Sequence, residues 1–159
     1  MILILLGTQD NSFHRLLEEV QALIDKKVIT EKVVVQAGRT KYESKDMEIH
    51  SLMPEEELKE IMKKADLVIT HGGVGSIVMA LKMEKKVIAV PRLSEFGEHI
   101  NNHQIQIIET FNSQEFLIGI TDLKELGNAL EKAKEFKPKK FKSETEHMIN
   151  LIEEFIDNN

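Results

Sequence analysis

The segment from Asp66 to Met83 leaves this chain little choice of fold. Asp66-Leu-Val-Ile-Thr70 is a short apolar run, His71-Gly-Gly-Val-Gly-Ser76 a glycine-rich turn, and Ile77–Met83 has the apolar spacing of a helix. A buried strand that turns at once into a helix is half of a βαβ unit, and such units build parallel sheets covered by helices. The rest of the chain repeats the alternation. Ile2–Leu6, Lys32–Gln36, Met47–His50, Lys86–Val90 and Phe116–Ile118 read as further strands. Helices are expected from Ser12, as N-cap, to Asp25, from Pro54 to Lys64, over His99–Phe111, and after an Asp122 cap over Leu123–Lys134. The expected fold is a single Rossmann-like α/β domain with a mostly parallel sheet and helices on both faces.

Residues 1–135 are expected to form that domain. Residues 136–159 are expected to be a lysine-rich linker and a C-terminal docking helix, running from Ser143 to about Ile156 with a broad apolar face. The six-residue run Met1–Leu6 ends at Gly7-Thr8 without a basic n-region, so it reads as a first strand and not as a secretory leader or a span. A formal net charge of −6, a single Tyr and no Trp argue against nucleic acid as a partner. With no Cys, disulfides and thiolate zinc sites are excluded, which fits a cytosolic protein.

Chemistry concentrates at the carboxyl ends of the strands, where open α/β sheets hold ligands. In His71-Gly72-Gly73-Val74-Gly75-Ser76 the glycines allow close backbone approach, and the helix start offers N–H groups to a phosphate, with Ser76 adding a hydroxyl. The same glycines would also serve a plain βα turn, and His71 could simply cap it. Neither the Walker spacing nor GxGxxG is present, so an ATPase or a dehydrogenase is disfavoured. A second cluster, Gly97-Glu98-His99-Ile100-Asn101-Asn102-His103-Gln104, follows Val90-Pro91-Arg92. Amides and imidazoles at this density suit the hydroxyls of a ribose or hexose. His99 and His103, four apart, would share a helix face, but no third ligand accompanies them and no metal is expected. Gly7-Thr8 ends the first strand, and Arg39 follows the second, where its charge could neutralise a pyrophosphate.

With these segments in view, the chain resembles the glycosyltransferase family 28 C-terminal domain, the donor-binding half of the GT-B fold. The likeness runs from Leu5-Leu-Gly-Thr8 to Leu130 and is most specific in Ala65–Ser76 and in Val90-Pro-Arg92 with Gly97–Gln104. It is nearest to stand-alone subunits of split transferases of the capsule and exopolysaccharide type, and to the catalytic subunit of the dolichol-linked N-acetylglucosaminyltransferase. The resemblance implies that His71, Gly72, Gly73, Gly75 and Ser76 hold the UDP diphosphate. It implies that Leu52 and Met53 receive the uracil through backbone contacts, and that Asn102, His103 and Gln104 approach the donor sugar. Relatives carry a ribose-binding Glu where this chain has Met79, so ribose recognition falls to another group, with Glu98 the candidate, or is weaker.

The resemblance further implies an inverting transfer from a UDP-sugar to a polyprenyl-diphosphate-linked saccharide, without metal or cofactor. It implies a membrane-anchored, acceptor-binding partner that recruits this cytoplasmic subunit to the inner face of the membrane. The general base is His71, His99 or a group on that partner, and self-association is expected of the isolated chain. The alternative reading is a non-catalytic partner or enhancer of such a transferase. A UDP-sugar epimerase of the same architecture needs two domains, more than 159 residues are expected to hold.

Overall fold

The computed structural model describes residues 1–142. Its six strands are β1 (Ile2–Leu5), β2 (Val33–Gln36), β3 (Met47–His50), β4 (Leu67–His71), β5 (Lys86–Val90) and β6 (Ile118–Gly119). They form one sheet in the order β3-β2-β1-β4-β5-β6, with every neighbouring pair parallel. The expected α/β architecture is therefore the one observed.

The helices are α1 (His14–Asp25), α2 (Glu55–Lys64), α3 (Val74–Lys82), α4 (His103–Ser113) and α5 (Leu126–Glu135). Successive residues of β1 point to opposite faces, and both faces are covered. Ile2, Ile4 and Leu6 pack with Leu16, Leu17 and Val20 of α1 and Ala129 and Ala133 of α5. Leu3 and Leu5 pack with Met62 of α2, Ile77 and Leu81 of α3, and Ile108 and Phe111 of α4. Burial on both sides is why β1 is an unbroken apolar run and β4 opens on one, Leu67-Val68-Ile69, rather than alternating.

Several expected boundaries are corrected: the last strand is Ile118–Gly119 rather than Phe116–Ile118, and the helix expected from Leu123 opens as a 3-10 turn, Leu123–Glu125, before α5. Ser12 does not cap α1. Its Oγ is buried without a partner, while the Phe13 N–H at the helix start donates to Thr40 Oγ1 at 2.9 Å. Helix α3 begins at Val74, three residues earlier than expected, which puts Gly75 and Ser76 inside its first turn. Helix α4 begins at His103, not His99. After a 3-10 turn at Ser94–Phe96, local side-chain bonds hold residues 97–102 out of a helix, a competition open to Asn and Ser. Asn101 Oδ1 accepts from the His103 N–H (3.0 Å), and Asn102 Oδ1 from the Ser94 N–H (2.8 Å). Gly97 sits at φ +70°, in the left-handed region.

After α5 the chain packs back on the domain. The Lys139 N–H donates to the Glu115 carbonyl (3.0 Å), and Phe141 meets Phe116 edge-on at 5.5 Å. The expected helix Ser143–Ile156 lies outside the described residues. Among those residues no helix is long and apolar enough to cross a membrane.

Candidate functional site

The strand order reverses between β1 and β4, and the chain leaves these neighbours toward opposite faces of the sheet. That divergence opens a crevice at their carboxyl ends. A groove of about 600 Å³ lies there, lined by Gly7, Thr8 and Gln9 after β1, Gln36 of β2, Leu52 and Met53 after β3, and Glu55 and Leu58 of α2. His71, Gly73, Val74, Gly75, Ser76 and Met79 complete it. The residues expected at the diphosphate and the uracil thus come together, Gly72 excepted. Its backbone is tied one layer deeper.

The turn at the end of β4 is built around the His71 imidazole, which is buried. A Cβ on Gly7 would lie 2.5 Å from its Nε2, and one on Gly73 would overlap its Cε1. Glycine is therefore required on both sides of the ring, and at Gly7 (φ +82°) by the backbone as well. Gln36 fixes the Gly7 peptide from β2, accepting from its N–H at 3.2 Å and donating to its carbonyl at 3.1 Å.

The protonation of His71 follows from its neighbours. Gln104 Oε1 accepts from the Gly72 and Arg92 N–H groups, each at 2.9 Å, so the amide orientation is fixed. Its Nε2 must then donate to His71 Nδ1, 3.2 Å away. With Nδ1 accepting, the ring proton sits on Nε2, which donates to Ser76 Oγ at 3.3 Å on the groove side. Burial lowers the His71 pKa to about 3, and the positive charges of Arg92 and His99 act in the same direction. At neutral pH the ring is an uncharged N–H donor.

The lowered value predicts acid sensitivity. The unfolded imidazole takes up its proton near pH 6.5, the folded one only near 3, so the unfolded state binds more protons between the two. Stability is full above pH 6.5 and falls as pH drops through this window, by at most about 1.4 kcal/mol per unit. Urea midpoints between pH 7.5 and 4.5 should fall for the wild type and fall less steeply for His71→Asn. Equal slopes would show that His71 is not held neutral.

Helix α3 starts at this turn with Gly73 as its N-cap and no side-chain cap. Its first internal bond runs from the Ile77 N–H to the Gly73 carbonyl (3.1 Å), so the N–H groups of Val74, Gly75 and Ser76 have no acceptor within the helix. With the helix dipole behind them they make a site for an anion such as a phosphate. A Cβ on Gly75 would meet nothing within 4 Å, so this part of the turn stays open.

The second expected cluster lies outside the groove lining and is largely committed to the fold. Glu98 is buried and accepts two bonds from Arg15, at 2.7 and 2.8 Å, and one from the Leu93 N–H at 3.0 Å. Buried in these bonds, Glu98 is not among the residues lining the groove, where a ribose would meet it. Arg92 is also buried and donates to the carbonyls of Asn11 (2.7 Å), Glu98 (3.0 Å) and Leu6 (2.5 Å), tying the β1 and β5 loops together. Burial lowers its pKa to about 10, which leaves it protonated at neutral pH. Gln104 is a buried tether between β4, β5 and α4. His99 Nδ1 accepts from the Asn101 N–H at 3.3 Å, ahead of the helix that carries His103, so the two histidines share no helix face. Asn102 is exposed, and Arg39, an exposed partner of Asp10 at 3.0 Å, is not among the residues lining the groove. Among the described residues no group of three or more His, Asp or Glu side chains could hold a metal ion.

Sequence reasoning missed Glu55 as a groove residue and Arg15 as the partner of Glu98, and marked Gln36 only as the end of the second strand. Local signals existed for Glu55, two residues after Met53, and for Gln36, at the carboxyl end of β2.

Residues 1–158 match the model of the glycosyltransferase family 28 C-terminal domain. Over 109 residues the chain is 25% identical to the UDP-N-acetylglucosamine transferase subunit ALG13 of Candida albicans, covering 69% of this chain and 36% of that protein. The chain thus spans about a third of the length of this curated relative. Its fold is similar to the NMR solution structure of ALG13, with a TM-score of 0.58 at 20% identity over 88% of each chain. It is also similar to the Methanocaldococcus jannaschii UDP-GlcNAc 2-epimerase in complex with UDP-GlcNAc and UDP, with a TM-score of 0.59 at 15% identity over 97% of this chain and 45% of that one.

Proposed function

This chain belongs to the glycosyltransferase family 28 C-terminal domain family, and from that premise we propose that it is the catalytic, UDP-sugar-binding subunit of an inverting GT-B glycosyltransferase. The observation that carries the reading is the uncapped α3 N-terminus at the switch point. Three N–H groups, and the Ser76 hydroxyl that the His71 Nε2–H holds in place, line a groove that the Leu52-Met53 loop also lines. The reading places a diphosphate at those N–H groups and a uracil at that loop.

In the reaction an acceptor hydroxyl attacks the anomeric carbon, a new C–O bond forms as the bond to the β-phosphate breaks, and UDP leaves with the electron pair. Inversion follows from a single displacement. Negative charge grows on the diphosphate, where the α3 N–H groups and the Ser76 hydroxyl, held in place by the neutral His71 Nε2–H, await it in fixed positions. His71 is a poor base in this arrangement, because its Nδ1 lone pair is held by Gln104. The acceptor proton passes to His99 or to a group of the acceptor-binding partner.

The proposed acceptor is a polyprenyl-diphosphate-linked saccharide of capsule or exopolysaccharide synthesis. The proposed partner is a membrane-anchored subunit, docked through residues 136–159, that recruits this chain to the cytoplasmic face of the membrane. The relative named as a transferase subunit supports such a division of labour. Donor binding is tested by calorimetric titration of the full chain with UDP and with UMP. UDP should bind at least about tenfold more tightly, since only its β-phosphate completes the charge-assisted contacts at the turn. Equal affinities, or no binding, would remove the donor role and favour a non-catalytic partner.

A further inference from the structure

We propose that Glu55 recognises the ribose cis-diol of the bound nucleoside diphosphate; this assignment rests on the donor-site reading above. With the diphosphate at the start of α3 and the base against Leu52 and Met53, the sugar between them lies along the α2 side of the groove. Pro54 is the N-cap of α2, at φ −57°, and carries the chain straight from Met53 into the helix. Glu55, the first residue of α2, therefore stands beside the base-side loop. Together with Gly75 and Met79 it lines both the donor groove and the adjoining cleft of about 710 Å³ between α2 and α3. Ribose at the mouth between the two would meet these three residues.

Two adjacent hydroxyls need a strong acceptor, and a carboxylate accepts both at once. Among the described residues Glu55 is the sole carboxylate lining the groove. Two of the other polar groups at hand are spent within the fold. Gln36 is held at both ends by Gly7, and both ring nitrogens of His71 are occupied. Thr8 and Gln9 follow β1, on the diphosphate side. Glu55 itself makes one ion pair, with Lys59 at 3.3 Å, between side chains 66% and 49% exposed. A solvated pair of that kind adds little and yields easily to a ligand. Met79 faces the same mouth from α3 and offers no acceptor.

The test compares UDP with 2′-deoxy-UDP by calorimetry on the full chain, so that the charge of the diphosphate cancels. The wild type should prefer UDP roughly tenfold, the loss expected when a charged acceptor forfeits one hydroxyl. Glu55→Ala should abolish the preference, and Met79→Glu added to Glu55→Ala should restore part of it from the other wall. Glu57→Ala, in the same first turn but lining neither cavity, should keep it. An undiminished preference in Glu55→Ala would overturn the assignment, as would an equal rise in affinity for both nucleotides, which would make Glu55 merely repulsive. Failure of the wild type to bind either nucleotide would instead overturn the donor-site reading, and this assignment with it.

Discussion

Gly75→Asp should abolish UDP binding and leave the fold as stable as before. A side chain at this position meets no atom within 4 Å, so nothing need move to admit one. Gly75 is the second residue of α3, where glycine costs the helix up to about 1 kcal/mol relative to alanine. Aspartate recovers some of that and gains roughly 0.3–1 kcal/mol from the helix dipole in the first turn. The same carboxylate would sit among the N–H groups of Val74, Gly75 and Ser76 and take the place of the phosphate. Like charges at such a site cost several kcal/mol, so UDP affinity should fall at least about a hundredfold. Calorimetry and a thermal melt on one preparation check both halves. Normal UDP binding by a well-folded Gly75→Asp would mean that the α3 N-terminus is not the diphosphate site. Gly73→Asp is a poorer probe, because its Cβ would overlap the His71 ring and lose binding and fold together.

Gln104→Leu carries the largest expected cost in stability. The substitution nearly conserves volume, so what it removes is hydrogen bonding. The Gly72 and Arg92 N–H groups would lose their shared acceptor, and His71 Nδ1 its donor, all in the interior. A buried polar group left unpaired costs about 1–3 kcal/mol, and three together should cost roughly 3–5 kcal/mol once the site relaxes. Urea denaturation should show this as a lower midpoint at an unchanged slope. Gln104→Glu should cost less, because a carboxylate still accepts from both N–H groups and loses only the donation to the ring. A loss below about 1 kcal/mol for Gln104→Leu would show that the Gly72 and Arg92 N–H groups find other acceptors.

Local pattern carried most of the architecture. The positions of β1 to β5 and the apolar stripe of α1 follow from runs and periods that the eye can read along the chain. The glycine turn was legible too, because a strand, a turn and a helix are contiguous at Leu67–Lys82. Two kinds of information were not. Helix starts depend on which local bond wins. Gly75 reads as turn yet lies in α3, and His99 to Asn102 read as helix yet are held in turns by their own amides. Long-range pairing was the other gap. Glu98 looked like an exposed acid free for a ligand, but its partner Arg15 lies 83 residues back. Gln104 looked like a sugar-binding amide, yet each of its contacts reaches a residue that only the folded sheet brings near. In a one-dimensional string a polar side chain spent on the fold and one held ready for a substrate look the same.

The wedging of the His71 ring between Gly7 and Gly73 bears on how this site can change over generations. At Gly73 the backbone is ordinary, with φ −76° and ψ 129°, so the imidazole alone forbids a side chain there. A lineage that first shrank residue 71 would find position 73 opened to alanine at little cost, whereas the reverse order passes through a clash. Gly7 would stay closed in either lineage, because its φ of +82° excludes side chains independently of the ring. The three positions thus differ in their genetic freedom. One is conditional on its neighbour, one is absolute, and the histidine that couples them sets the order in which substitutions can accumulate.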